Sequence, residues 1–230
     1  MLLVRPRERG PAAAPASLLT ELREGFREVR TRSWVWVTIA VYSFALLAAL
    51  APLFVLGAVV AERQYGSSAL YGVIIAAFGA GTVLGSLIGL RWRPLFPMRA
   101  GMTIGVLWPA CVALLALGAT PTLLLSVTVA CGAGVALFEV WWLTALAERI
   151  PPHALSRVTA YDWMGSLGLL PLGYLLAGPL GDAFGPERVM LVGALLALVA
   201  GAIGLLPGQT RSLRRLDADP PTLRESRVAP

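Results

Sequence analysis

Two acids inside apolar runs are the residues best placed to do chemistry. Glu139 lies deep in Gly134-Val-Ala-Leu-Phe-Glu139-Val-Trp141-Trp142. Asp162 lies near the start of a later run, in Arg157-Val-Thr-Ala-Tyr161-Asp162-Trp163. An acid at mid-membrane costs roughly 2.5–3.5 kcal/mol on insertion scales and has to face protein or a water-filled cavity. The chemistry open to Glu139 is proton carriage or recognition of a cation; the alternative is a structural acid hydrogen-bonded to a neighbouring helix. Asp162 could cap or gate with Arg157, or simply favour the positive end of a helix dipole. Trp141, Trp142, Trp163 and Tyr161 accompany the acids, and such rings could line an apolar pocket that tolerates cations.

No enzyme constellation competes with this reading. The chain has no G-x-S-x-G, no H-E-x-x-H and no Walker A segment, and its one histidine, His153, falls in a loop. No metal site and no cofactor are expected. Cys111 and Cys131 both sit inside apolar runs and read as small packing residues. Gly81, Gly85 and Gly89 are spaced by four and follow no strand, so they are not a dinucleotide loop. Glycines at that spacing leave a flat strip on which another helix can approach closely.

The elements that must position these residues are membrane helices. Of 230 residues 57% are hydrophobic and 14% charged, about half the charge of a soluble domain. Six stretches meet the length of about 20 apolar residues that a bilayer requires: 34–60, 69–90, 100–118, 123–147, 158–180 and 189–206. They are apolar on all sides, which excludes barrel strands and predicts an all-α membrane protein. Every basic residue is arginine, and the arginines alternate. They fill the N-terminal tail, the 2–3 loop (Arg91, Arg93, Arg99), the 4–5 loop (Arg149, Arg157) and the C-terminal tail. Only Arg63 and Arg188 fall on the other side. That bias places both termini in the cytoplasm and orients the chain in a plasma membrane. The net charge of +6 therefore implies anionic lipid as partner, not nucleic acid.

Glycine and proline mark irregular places. Pro52 and Pro109 interrupt the first and third spans, and the fifth carries Pro171, Gly173, Gly178 and Pro179. Interior proline removes a hydrogen bond and kinks a helix, so a bend is expected in the fifth span. Residues 1–32 read as a cytoplasmic tail, disordered over Met1–Ala16 and then helical over 17–30. There Leu18, Leu22, Phe26 and Val29 share one face. That helix either lies at the interface or is a solvated linker. Residues 33–207 form the membrane domain, and 208–230 read as a disordered tail.

Three stretches resemble the major facilitator superfamily. Arg23-Glu-Gly-Phe-Arg-Glu-Val-Arg-Thr-Arg-Ser-Trp34 resembles the end of its central loop entering helix seven. Residues 76–89, with Gly79, Gly81, Gly85 and Gly89, resemble helix eight. Residues 146–162, followed by Leu170-Pro171-Leu-Gly173 and Gly178-Pro179, resemble the loop and helix eleven. This last region is similar to the enterobactin-exporter-like, or transmembrane secretion effector, branch. The resemblance covers roughly Glu21 to Pro207. It implies the C-terminal six-helix half of a carrier, folded as two three-helix inverted repeats. It also implies proton-coupled efflux of a small organic molecule by alternating access. Three explanations of the half length stay open: a truncated gene product, a separately encoded first half, or a parallel homodimer. The rival is a non-transporting membrane protein, a remnant or an assembly partner. At the loop Gly89-Leu-Arg91-Trp-Arg93-Pro the acid of the superfamily's usual pattern is missing.

Overall fold

The computed structural model describes residues 18–216, so the tail read as disordered over Met1–Ala16 and residues 217–230 lie outside the described residues. Every described element is a helix. Six helical segments are long and apolar enough to cross a membrane: Ser33–Tyr65, Ala69–Gly89, Pro97–Ala116, Pro121–Arg149, Pro152–Phe184 and Pro186–Gly204. Four of them open on proline, whose missing N–H is no loss in a first turn. The turn after the first span needs Gly66 at φ 67°, and the turn between the fifth and sixth needs Gly185 at φ 89°.

Three spans are broken, and each break follows a proline. A proline cannot serve the carbonyl four residues before it. Pro52 leaves the Ala48 carbonyl, and the chain there winds into a π-helical turn over Leu46–Leu50. Pro109 leaves the Gly105 carbonyl, which takes the Trp108 N–H at 3.2 Å instead. Pro171 leaves the Leu167 carbonyl, which takes the Leu169 N–H. The fifth span therefore divides into Pro152–Gly168 and Leu170–Phe184. The Gly165 carbonyl at this division accepts the Ser43 hydroxyl of the first span at 2.7 Å.

The second span packs on the fourth most extensively; the first packs on the fifth and the sixth, and the third on the fourth and the sixth. Glycine sets the closest approaches. A Cβ on Gly81 would stand 2.1 Å from the Val129 carbonyl oxygen, and one on Gly85 would stand 2.2 Å from that of Ala133. Gly132 returns the contact against Phe78. Gly193 of the sixth span meets the same Ala48 carbonyl that Pro52 leaves unserved. One buried cluster lies toward the end away from the arginine-rich loops, around Val60, Ile74, Leu115, Leu124 and Met190. A second lies at the arginine-rich end around Trp34, Met98, Trp142 and Leu146. At the opposite end Tyr65 donates to the Ala119 carbonyl at 2.6 Å and Arg63 approaches Glu187 at 3.6 Å. Large apolar side chains such as Leu87, Leu175, Leu195 and Leu206 point outward, as a lipid-facing surface requires.

Two expectations about the tails change. The amphipathic helix Leu18–Thr31 packs against the first half of the fifth span. Gly25 lies on Tyr161 and Arg157, and the Phe26 ring is 6.1 Å from that of Tyr161. It is a docked element rather than a free linker. Nor does order stop at residue 207. Gly208–Ser212 is helical, Thr210 and Leu213 are buried, and Arg215 donates from its backbone to Leu95 (3.0 Å) and from its guanidinium to the Arg93 carbonyl (2.8 Å). The buried Leu213 side chain supplies the apolar anchor that a polar tail composition hides.

Candidate functional site

The two acids come together in one cavity of about 230 Å³ between the first, fourth and fifth spans. Glu139 and Trp142 reach it from one turn of the fourth span, Asp162 and Ser166 from one turn of the fifth. Residues three or four apart share a helix face, which is why these pairs converge. The Trp142 indole N–H donates to Asp162 Oδ2 at 2.8 Å, and the Ser166 hydroxyl lies 3.4 Å from Oδ1. Asp162 is thus held. No hydrogen bond or ion pair joins Glu139 to another described residue. Its half-buried carboxyl faces the cavity.

Trp163 lines the cavity with more than half of its surface open, at 58% exposure. Three other sequence candidates do not belong to the site. Trp141 points the other way. It is buried, donates its indole N–H to the Trp92 carbonyl at 3.1 Å, and stacks edge-on against Trp92 at 5.3 Å. Tyr161 and Arg157 carry the amphipathic helix, as described above. The reason is angular. Successive residues of a helix point about 100° apart, and residues five apart about 140°. Neighbours of Trp142 and Asp162 in sequence therefore cannot all share their cavity, and Arg157 cannot share a face with Asp162. The described partners of Asp162 are Trp142 and Ser166 instead.

The first span supplies a wall that the acids and tryptophans did not reveal. Thr38, Tyr42, Leu46 and Leu50 recur every four residues and line the cavity together with Phe138. The Tyr42 and Phe138 rings are 6.1 Å apart, and Phe138 stacks on Trp142 at 6.4 Å. The four-residue spacing was visible in the sequence. In a helix apolar all round, it singles out no face.

A second, larger cavity of about 350 Å³ shares that wall, since Thr38, Tyr42, Leu46, Leu50 and Phe138 border both. Its further lining is apolar, with Phe78, Met102, Trp108 and Gly201 among it.

The remaining candidates shape helices rather than line the site. Gly81 and Gly85 form the second-to-fourth contact, and a Cβ on Gly89 would stand 3.3 Å from the Val140 side chain. Gly173 lies on Ala51 and Leu47 of the first span. Pro171 makes the division in the fifth span. At Gly178 a Cβ would meet nothing within 4 Å. Pro179 lies inside the second half of that span, exposed. Among the described residues no group of three His, Cys, Asp or Glu could hold a metal ion.

Chemically, the site is a membrane-depth cavity with one tethered acid, one unpartnered acid and a wall of rings. The family model described as Major Facilitator Superfamily matches residues 1–169. No curated protein and no solved structure matches the chain significantly.

Proposed function

Because the chain belongs to the major facilitator superfamily, we propose that it contributes six helices to an alternating-access carrier that exports small organic molecules in exchange for protons. That it is an integral, multi-pass protein of a transporter family rests on the family match and the six apolar helices. The finer reading rests on one observation. Glu139 and Asp162, from two different spans, face a single cavity against Thr38 and Tyr42 of a third. A soluble enzyme has no use for this arrangement at membrane depth. A carrier needs an ionisable group that water, proton and cargo can reach in turn. Glu139 is the coupling acid, and Asp162, held by Trp142, shapes its surroundings.

The repeat reading has support in the pairing. Exchanging span one for four and two for five turns the second-on-fourth contact into the fifth-on-first contact, and both use glycine against a neighbouring span. In this reading the arginine-rich end faces the cytoplasm and the membrane is the plasma membrane. The chain sits in the enterobactin-exporter-like branch. A separately encoded first half or a parallel second copy completes the carrier.

Alternating access is tested without knowing the cargo. Leu167 lines the cavity. Leu167→Cys, in a chain whose Cys111 and Cys131 are replaced by alanine, is treated with a membrane-impermeant maleimide in intact cells and in inside-out vesicles. Labelling from both sides is expected. Labelling from one side only would replace the carrier reading with that of a non-transporting membrane protein.

A further inference from the structure

The apolar cavity of about 350 Å³ holds neither Glu139 nor Asp162, and its walls specify what would fill it. Two of the three proline breaks meet there. Leu46 and Leu50 come from the π-helical turn, Gly105 and Pro109 from the break in the third span. Gly101, Gly134 and Gly201 border the space as well and add no side chain to it. Broken helices short of side chains cannot close on one another, and a cavity is left. Its walls come from the first, second, third, fourth and sixth spans of the one chain. The site is therefore complete without a second half, unlike a cargo path between two halves.

The lining decides the chemistry of the guest. Among the described residues no carboxyl, arginine or histidine reaches the cavity, so a charged guest would lie in low dielectric without a counter-charge. Its polar side chains are the Thr38 and Tyr42 hydroxyls, the Cys131 thiol and the Trp108 indole. The Thr38 hydroxyl already donates to the Trp34 carbonyl at 2.7 Å. A buried water needs about two to four polar partners, and apolar cavities stay dry. Left empty, the wall forfeits dispersion contacts that a neutral apolar molecule restores. An apolar cavity of about 150 Å³ takes one benzene ring, so this one has room for about two. Tyr42, Phe54, Phe78, Trp108 and Phe138 surround that space, and rings pack well on rings, offset or edge to face. A flat, rigid guest also gives up less conformational freedom than an acyl chain coiled into the same volume. Entry is from the bilayer, where apolar solutes concentrate. Phe54 and Val106 border the cavity and are half exposed at the surface of the bundle.

We propose that this cavity is a binding site for a neutral, apolar two-ring aromatic molecule, separate from the carboxyls of Glu139 and Asp162.

The full-length protein in lipid nanodiscs is irradiated with trifluoromethyl-phenyldiazirine, a small neutral photolabel, and the adducts are mapped by mass spectrometry. Labelling of Cys131, Val135 and Phe138 is expected to saturate and to fall at least tenfold when naphthalene competes. Adducts on the outward-facing Leu195 serve as the lipid control and should neither saturate nor respond to the competitor. Naphthalenesulfonate and naphthyltrimethylammonium keep the two rings and add charge, and neither should displace the label. Labelling of the cavity residues that does not saturate, or equal displacement by a charged naphthalene, would overturn the proposal. Displacement by dodecane in place of naphthalene would overturn it in favour of an acyl chain. Val135→Phe places a ring in the cavity from its own wall and should lower the saturable labelling at least tenfold; undiminished labelling of the folded variant would also overturn the proposal. If that variant does not fold, the competition in the wild-type chain decides alone. Saturable labelling beside one-sided access to Leu167→Cys removes the carrier reading and leaves this site in place. Two-sided access without saturable labelling removes this inference alone.

Discussion

Glu139→Gln is expected to reduce pH-gradient-driven ethidium transport in proteoliposomes to the protein-free background, with no loss of thermal stability. The two halves of this expectation have the same cause. Glutamine keeps the shape of the side chain and its capacity for hydrogen bonds, but it cannot titrate or carry charge. Proton exchange at this position therefore ends. Stability is preserved because Glu139 has no hydrogen-bond or ionic partner among the described residues to abandon. Removing a charge from low dielectric is, if anything, favourable. Asp162 provides the contrast. Its carboxylate accepts the Trp142 indole N–H at 2.8 Å. Asp162→Ala would leave that N–H without its acceptor, at a cost of about 1–3 kcal/mol. Asp162→Asn keeps an acceptor and should fold better than alanine. Transport assayed beside melting thus separates the two acids. A Glu139→Gln protein that transports at the wild-type rate would end the coupling assignment, whatever its stability.

Composition made the membrane class and the helix count legible, because apolar runs of bilayer length cannot be hidden in a sequence. The acids were legible for a related reason: a carboxyl inside such a run stands out by its cost. Their surroundings were not. Trp141 and Trp142 are adjacent and chemically alike, yet one faces the cavity and the other the Trp92 loop. In a helix apolar on every side, periodicity carries no signal about which face is inside. Tyr161, beside Asp162, does not line the cavity, because successive residues of a helix point about 100° apart. Prolines were better guides, since each removes a known hydrogen bond. The site of each break could be counted four residues back, though not the form it took: a π turn after Ala45, a three-residue bond at Gly105, a full division at Leu169. Leu213 shows the converse. Polarity of a segment predicts little when a single apolar side chain finds a buried seat.

Gly85→Ala should be strongly destabilising, and Gly79→Ala should be harmless or slightly stabilising. Both glycines lie in the same helix, six residues apart. Alanine is the better helix former by about 1 kcal/mol at each. What differs is the neighbour. At Gly79 a Cβ meets nothing within 4 Å, so only the propensity gain remains. At Gly85 it would stand 2.2 Å from the Ala133 carbonyl oxygen and 2.6 Å from Ala133 Cα. These are backbone atoms of the fourth span, with no flexible side chain to swing aside. The second and fourth spans would have to part along the seam that Gly81 and Gly132 also hold. Overpacking a close contact costs about 1–3 kcal/mol, and more where backbone must move. A loss near 3 kcal/mol corresponds to a fall in melting temperature on the order of 10 °C for a chain of this size. The fourth span carries Glu139, so the same substitution displaces the acid proposed to couple protons. Thermal unfolding of the two variants in one detergent, followed by size-exclusion chromatography, reads the difference. Equal melting temperatures for Gly79→Ala and Gly85→Ala would mean that the second and fourth spans do not meet at this seam.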